Sequence, residues 1–158
     1  MSVEERALIA SVVFAGLWSG LYAMLNLIFH RVMSALDGPG FARFLRAFLP
    51  VARKAPFNYI CVIGLVVAPV TALVAIDDAG GTPFVLTAIG LLLTFGGGLL
   101  VSNRLAEPNY DRMLAWDPDH LPRDWEATRH YYFTLNWIRA SATWTAFGLF
   151  LAALVDLL

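Results

Sequence analysis

The sequence predicts an all-α fold: an integral membrane four-helix bundle with a short interfacial amphipathic helix between its first two spans. Three observations lead there. Of the 158 residues, 59% are hydrophobic and only 15% charged, with a mean hydropathy of +0.66. A soluble domain usually carries about a quarter charged residues. The charges are also segregated: runs 7–29, 57–76 and 83–102 hold no Asp, Glu, Lys or Arg, and run 131–155 holds only Arg139. Each run reaches the roughly 20 residues that a helix needs to cross a hydrocarbon core. Finally, every Lys and Arg other than Arg6 and Arg139 lies in or beside the first and third connections. Basic residues stay cytoplasmic, so both termini are expected on the non-cytoplasmic side, in a bacterial inner membrane.

The spans, about 7–30, 56–76, 83–102 and 131–155, leave too little chain for a second domain. Residues 1–158 therefore read as one transmembrane domain with membrane lipid as its surroundings. The start, Met1-Ser2-Val3-Glu4-Glu5-Arg6, lacks the basic region of a signal peptide, and the apolar run behind it is too long for one. It is expected to remain as a helix. A net charge of −1 gives no electrostatic case for nucleic acid as a partner. The single cysteine, Cys61, excludes an internal disulfide and reads as a small apolar residue of the second span.

In the first span, Gly16 and Gly20 form a Gly-x-x-x-Gly motif that lets helix backbones approach closely. Trp18, Tyr22, Asn26 and His30 recur every four residues and share a face. That stripe fits either helix-to-helix glue or the wall of a polar pocket. Asp37-Gly38-Pro39-Gly40 predicts a turn. Beyond it Phe41, Phe44, Leu45, Phe48 and Leu49 fall on one helical face with Arg43 and Arg46 elsewhere. This predicts a helix lying among headgroups, its arginines contacting lipid.

Pro56 suits the first turn of the second span, and Pro69 within it predicts a kink. Gly64-x-x-x-Ala68 offers a second small-residue packing face. Asp77-Asp78-Ala79-Gly80-Gly81-Thr82 is an acidic turn placed to cap the third span, which begins near Pro83. Two adjacent carboxylates on a glycine-rich turn do not make a metal site. Gly96-Gly97-Gly98 in the third span marks close packing or room for a ligand. An ordered loop, 108–124, follows, with its tryptophan expected at the membrane interface.

The antiparallel arrangement brings Asn26, His30, Asn58, Asn103, Arg104, Glu107, Tyr132, Asn136 and Arg139 toward the cytoplasmic half of the bundle. Along the last span, Tyr132, Asn136, Arg139 and Thr143 align at intervals of four, three and four. Charge at the depth of Arg139 is costly and usually faces an interior or a wet cavity. Asn26, Asn103, Asn136, Glu107 or a bound anionic or carbonyl-bearing ligand are its expected partners. Arg139, Asn136 and His30 are the candidate catalytic residues; Tyr22, Asn26, Asn103, Arg104, Glu107 and Tyr132 are the candidate ligand-binding ones. A purely structural network is the competing reading.

The pattern Trp125-x-x-x-Arg129…Tyr132-x-x-x-Asn136-x-x-Arg139 resembles the anthrone oxygenase-like family of small four-helix membrane proteins, most of unknown function. The likeness extends in outline over the whole chain, including the Gly16/Gly20 helix and the Pro56-Phe57 start. The family often has Trp where this chain has Tyr132. Its Asn-rich stretch before the third loop corresponds here to 103–109. The resemblance implies O₂-dependent oxidation of a phenolic polycyclic substrate, the activity of the few named members, with no evident cofactor motif. The expected reading for this chain is an oxidoreductase-like protein with a small aromatic or amphiphilic ligand in its polar pocket.

An anthrone-type carbon acid needs a base and an enolate stabiliser. His30 is the candidate base and Arg139 with Asn136 the candidate stabiliser. His30 and His130 fall at one membrane face, so a bis-His haem is a further option. His120 is expected in solvent. Two other classes compete. One is a non-catalytic subunit or scaffold docking on itself or on a larger membrane complex. The other, a proton-coupled transporter, lacks a carboxylate inside any span except Asp156 at the extreme end.

Overall fold

Helix lengths decide where the site lies. The computed structural model describes residues 1–158 and contains α1 (Val3–Ala35), α2 (Gly38–Lys54), α3 (Pro56–Ala75), α4 (Thr82–Leu114) and α5 (Trp125–Leu157). All but α2 are long and apolar enough to cross a membrane. Outside the helices there is only an isolated bridge between Asp117 and His120. Three of the four long helices have 33 residues and α3 has 20, roughly 50 Å against 30 Å at 1.5 Å per residue. Glu4, Asp77, Pro83 and Asp156 line one cleft, so the four helices are level at that end. The surplus of roughly 20 Å on α1, α4 and α5 therefore stands entirely at the other end.

The helices extend past the expected spans: α1 continues beyond 30 to Ala35, α4 beyond 102 to Leu114, and α5 starts at Trp125 rather than 131. Hydropathy falls there, but apolar residues keep recurring on the inner face: Met33 on α1, Ala106, Tyr110 and Met113 on α4. Pro108 does not break α4. It sits in a first-turn position directly after a π segment, Ser102–Ala106, where a missing N–H removes no bond. The expected loop over 108–124 shrinks to the residues after Leu114.

Where α3 has no extension, α2 takes its place. Phe41, Ala42, Leu45 and Leu49 are buried with Met33, Ala106, Met113, Trp116, Tyr132 and Leu135 in one apolar core. Phe44 and Phe48 stack at 5.5 Å and both meet Phe29. The apolar face read from the sequence is thus directed at the protein rather than at lipid. Its arginines are intramolecular too: Arg43 pairs with Asp119 at 2.9 Å, Arg46 donates to the Trp116 carbonyl, and Arg53 pairs with Glu107 and Asp111. Trp116, expected at the interface, packs instead on Phe41.

Local chemistry sets the corners. Asp37 is the N-cap of α2, its Oδ1 accepting from Gly40 N–H at 2.8 Å, so Gly38-Pro39-Gly40 forms a first helical turn and not a free turn. Asn58 donates to the Ala52 carbonyl and Tyr59 to that of Arg53, fixing the α2–α3 junction. Between α3 and α4, Asp78 Oδ1 accepts from Gly80 N–H. The N-cap of α4 is Gly81, without a side-chain bond, so the acidic pair closes the turn and does not cap the helix. Pro69 lies buried within an unbroken α3.

Two further cores complete the bundle. A central one joins Trp18, Tyr22, Cys61, Leu65, Ala140, Ala146 and Phe150, and a smaller one at the level end joins Ala7, Leu8, Ala72 and Ala153. Glycines set the helix spacing: Phe147 covers Gly16, Phe14 covers Gly64, and Phe150 covers Gly90. Gly97 faces Ala142 so closely that no Cβ fits between α4 and α5, while Gly20, Gly96 and Gly98 face open space.

Candidate functional site

The polar residues of the bundle interior collect at the seam between the core under α2 and the central core. On α1, residues spaced by four drift about 40° per step around a regular helix. The wider π turn at Leu25–Phe29 takes back that drift. Trp18, Tyr22, Asn26 and His30 are accordingly all buried. Across from them α5 presents Tyr132, Asn136 and Thr143, also buried, and Arg139, partly buried.

Arg139 is the hub. Its Nη1 donates to the Tyr110 hydroxyl at 2.6 Å and to Asn136 Oδ1 at 3.3 Å, and the guanidinium carbon lies 5.2 Å from the centre of the Tyr22 ring. Arginine has no acceptor, so Asn136 must turn its oxygen toward Arg139 and its NH₂ toward α1. There Asn136 Nδ2 meets His30 Nε2 at 3.3 Å. As the acceptor of that bond, Nε2 carries no hydrogen, and a neutral His30 holds its proton on Nδ1. The imidazole is held by Phe133, centre to centre 4.3 Å, and faces Tyr132. Asn26 Nδ2 donates to the Asn136 carbonyl at 3.3 Å.

The network is incomplete. No carboxylate lies within ion-pair distance of Arg139. Its Nε, Asn26 Oδ1 and Ser19 Oγ are sealed from solvent without a partner. A hydrogen bond to a charged group contributes about 1.5–3 kcal/mol and a desolvated cation–π contact about 2. Against them stands a desolvation penalty of several kcal/mol for an unpaired ion, on the order given for buried pairs. One donor, one acceptor and one hydroxyl remain to be met.

Several sequence candidates lie elsewhere. Asn103 and Arg104 are exposed, and Asn103 donates to the Leu99 carbonyl of its own helix. The cause is the π segment, which rotates this stretch of α4 away from the interior. Glu107 holds Arg53 rather than Arg139. His130 is exposed on α5 while His30 is engaged by Asn136, so the two imidazoles do not present a facing pair for a haem iron. No group of three or more His, Cys, Asp or Glu is placed so that it could hold a metal ion. His120 pairs with Asp117 on the surface at 2.9 Å.

Tyr110 is the residue that sequence reasoning missed, because it fell in the expected loop. The recurrence of Ala106, Tyr110 and Met113 at helical spacing was the available signal. Trp144, whose Nε1 donates to the Ser19 carbonyl at 3.1 Å, is a second inter-helix tie at this level. Compared with protein-family models, with curated proteins and with solved structures, the chain matches none.

Proposed function

We propose an integral membrane protein of the anthrone oxygenase-like kind, with both termini outside a bacterial inner membrane, that binds a small aromatic or amphiphilic ligand at Arg139. The observation that carries this reading is the guanidinium without a carboxylate, backed by an unpaired Nε. An oxyanion or polarised carbonyl supplies the missing acceptor, and the Tyr22 and Tyr132 rings supply the apolar walls.

The chemistry that fits is oxidation of a carbon acid. His30 receives the C–H proton, and the electron pair moves onto the carbonyl oxygen held by Arg139. The enolate carbon then adds O₂ to give, once protonated, a hydroperoxide that loses water to leave a new carbonyl. Asn136 links base and stabiliser through one carboxamide, its NH₂ on His30 and its oxygen on Arg139. For His30 to act through Nε2, Asn136 must give up its bond to that nitrogen.

The test is to purify the protein with its native lipid, record its absorption spectrum and extract bound small molecules for mass spectrometry. Wild type is expected to release an aromatic, oxygen-bearing compound that Arg139→Met does not. Equal extracts from both proteins would remove the site.

One observation favours the second reading, a non-catalytic subunit. Tyr132 and Asn136 are 1% and 0% exposed, so the cluster is closed on the α5 side. Cross-linking in membranes that recovers one stoichiometric partner, with no ligand in the extract, decides for that reading.

A further inference from the structure

The level end of the bundle carries a different feature. Between α1 and α3 runs a groove of about 580 Å³, walled by Val3, Ala10, Ile60, Val67 and Ala68 and closed below by Phe14 over Gly64. It is open along its length, with Ile60 and Val67 more than half exposed. From Val3 to Phe14 and from Ile60 to Thr71 the two walls measure roughly 16 Å. Ile60 lies 15 residues from Ala75 at the level end, so the groove reaches roughly 22 Å in from that end, past the middle of a ~30 Å hydrocarbon core.

Its mouth is charged. Arg6 lines it, exposed and in no ion pair, with Nε–H donated to the Ser2 carbonyl at 3.2 Å. It is the only Lys or Arg at this end. The carboxylates of Glu4, Asp77, Asp78 and Asp156 line a separate cleft. The other cation at this end, the N-terminal ammonium, lies 3.8 Å from the Glu5 carboxylate, so Arg6 is the unpaired one, and it lies directly over the apolar groove.

We infer that the groove seats one acyl chain of an anionic phospholipid from the non-cytoplasmic leaflet, with the phosphate at Arg6. This rests on the membrane-spanning reading above but not on the Arg139 ligand. The chain fills the space that Ala10 and Ala68 leave beside Phe14, and the headgroup fixes its depth.

The protein is reconstituted in nanodiscs of mixed phosphatidylglycerol and phosphatidylcholine, released, and weighed by native mass spectrometry. One retained phosphatidylglycerol per chain is expected. Ala10→Leu, which fills the wall, and Thr71→Trp, which blocks the mouth from an exposed position, should each lose it. Arg6→Gln should lower retention and abolish the preference over phosphatidylcholine. Thermal melting checks that the variants fold; Thr71→Trp decides if Ala10→Leu does not. Unchanged retention in Thr71→Trp overturns the inference. So does an Ile63→Cys disulfide dimer formed in vesicles, which would put a second copy in the groove. Failure to float with vesicles would instead sink the membrane reading, whereas flotation without retained lipid sinks the groove alone.

Discussion

Arg139 on α5 and Tyr110 on the extension of α4 are joined by a 2.6 Å hydrogen bond from guanidinium to hydroxyl. It ties the central core to the core under α2, because Tyr110 packs in the latter at 5.8 Å from Tyr132. Tyr110→Phe should therefore cost about 1.5–3 kcal/mol, the range for a hydrogen bond to a charged group. Arg139→Met combined with Tyr110→Phe should be as stable as wild type or more so, since it removes both a buried cation and its orphaned partner. Denaturation of the four proteins in one detergent measures the coupling. Additive losses would mean that the bond contributes nothing to stability.

Gly97 and its neighbours give a sharper contrast. A Cβ at Gly97 runs directly onto Ala142, whereas none is obstructed at Gly96 or Gly98. Gly97→Ala should destabilise by about 1–3 kcal/mol through overpacking. Gly96→Ala and Gly98→Ala should be neutral or gain up to about 1 kcal/mol from helix propensity. Melting temperatures of the three variants check the ordering, and equal effects would mean that α4 and α5 are spaced differently.

The attachment of α2 separates core from charge. Phe41 is fully buried, and Phe41→Ala should cost about 3–5 kcal/mol. Arg43 and Asp119 are both exposed, so Arg43→Ala should cost less than about 1 kcal/mol and less again in high salt. Hydrogen exchange along α2 should accelerate strongly in the first variant and hardly in the second. The opposite pattern would return α2 to the lipid surface.

In the connection after α4, the Asp119 N–H donates to Asp117 Oδ1 at 3.1 Å and His120 Nδ1 lies 2.9 Å from Oδ2. The backbone bond first, and His120 second, hold the Asp117 carboxyl below its usual 3.8. A depressed carboxyl contributes stability above that value and loses it as pH falls through the lower, folded one. The turn should thus stay closed to below pH 3.8. Carboxyl-resolved NMR titration should find Asp117 low in wild type and closer to its ordinary value in Asp119→Pro, which removes the backbone donor and leaves His120.

Much of this arrangement was legible from sequence because burial in an apolar bundle obeys helical spacing. The stripe Trp18–Tyr22–Asn26–His30 and the alignment of Tyr132, Asn136 and Arg139 both fall on the interior. What escaped was whatever hydropathy does not encode. Charged outer faces hid the extensions of α1, α4 and α5, and with them Tyr110. Asn103 and Arg104 were misplaced because a π segment rotates the helix without any mark in composition. The arginines of α2 were assigned to lipid because their carboxylate partners, Asp111 and Asp119, are distant in the chain.

The 20-residue length of α3 leaves it no slack. Its fellow helices are 33 residues long and would have length to spare in a thicker bilayer. α3 would not, because the Asn58 and Tyr59 anchors sit at one end and Asp77 at the other. In a membrane-spanning bundle the shortest of the four long helices would thereby act as a gauge: it would set how deep the molecule rides and, through Arg53 and Ala52, the height at which α2 is carried.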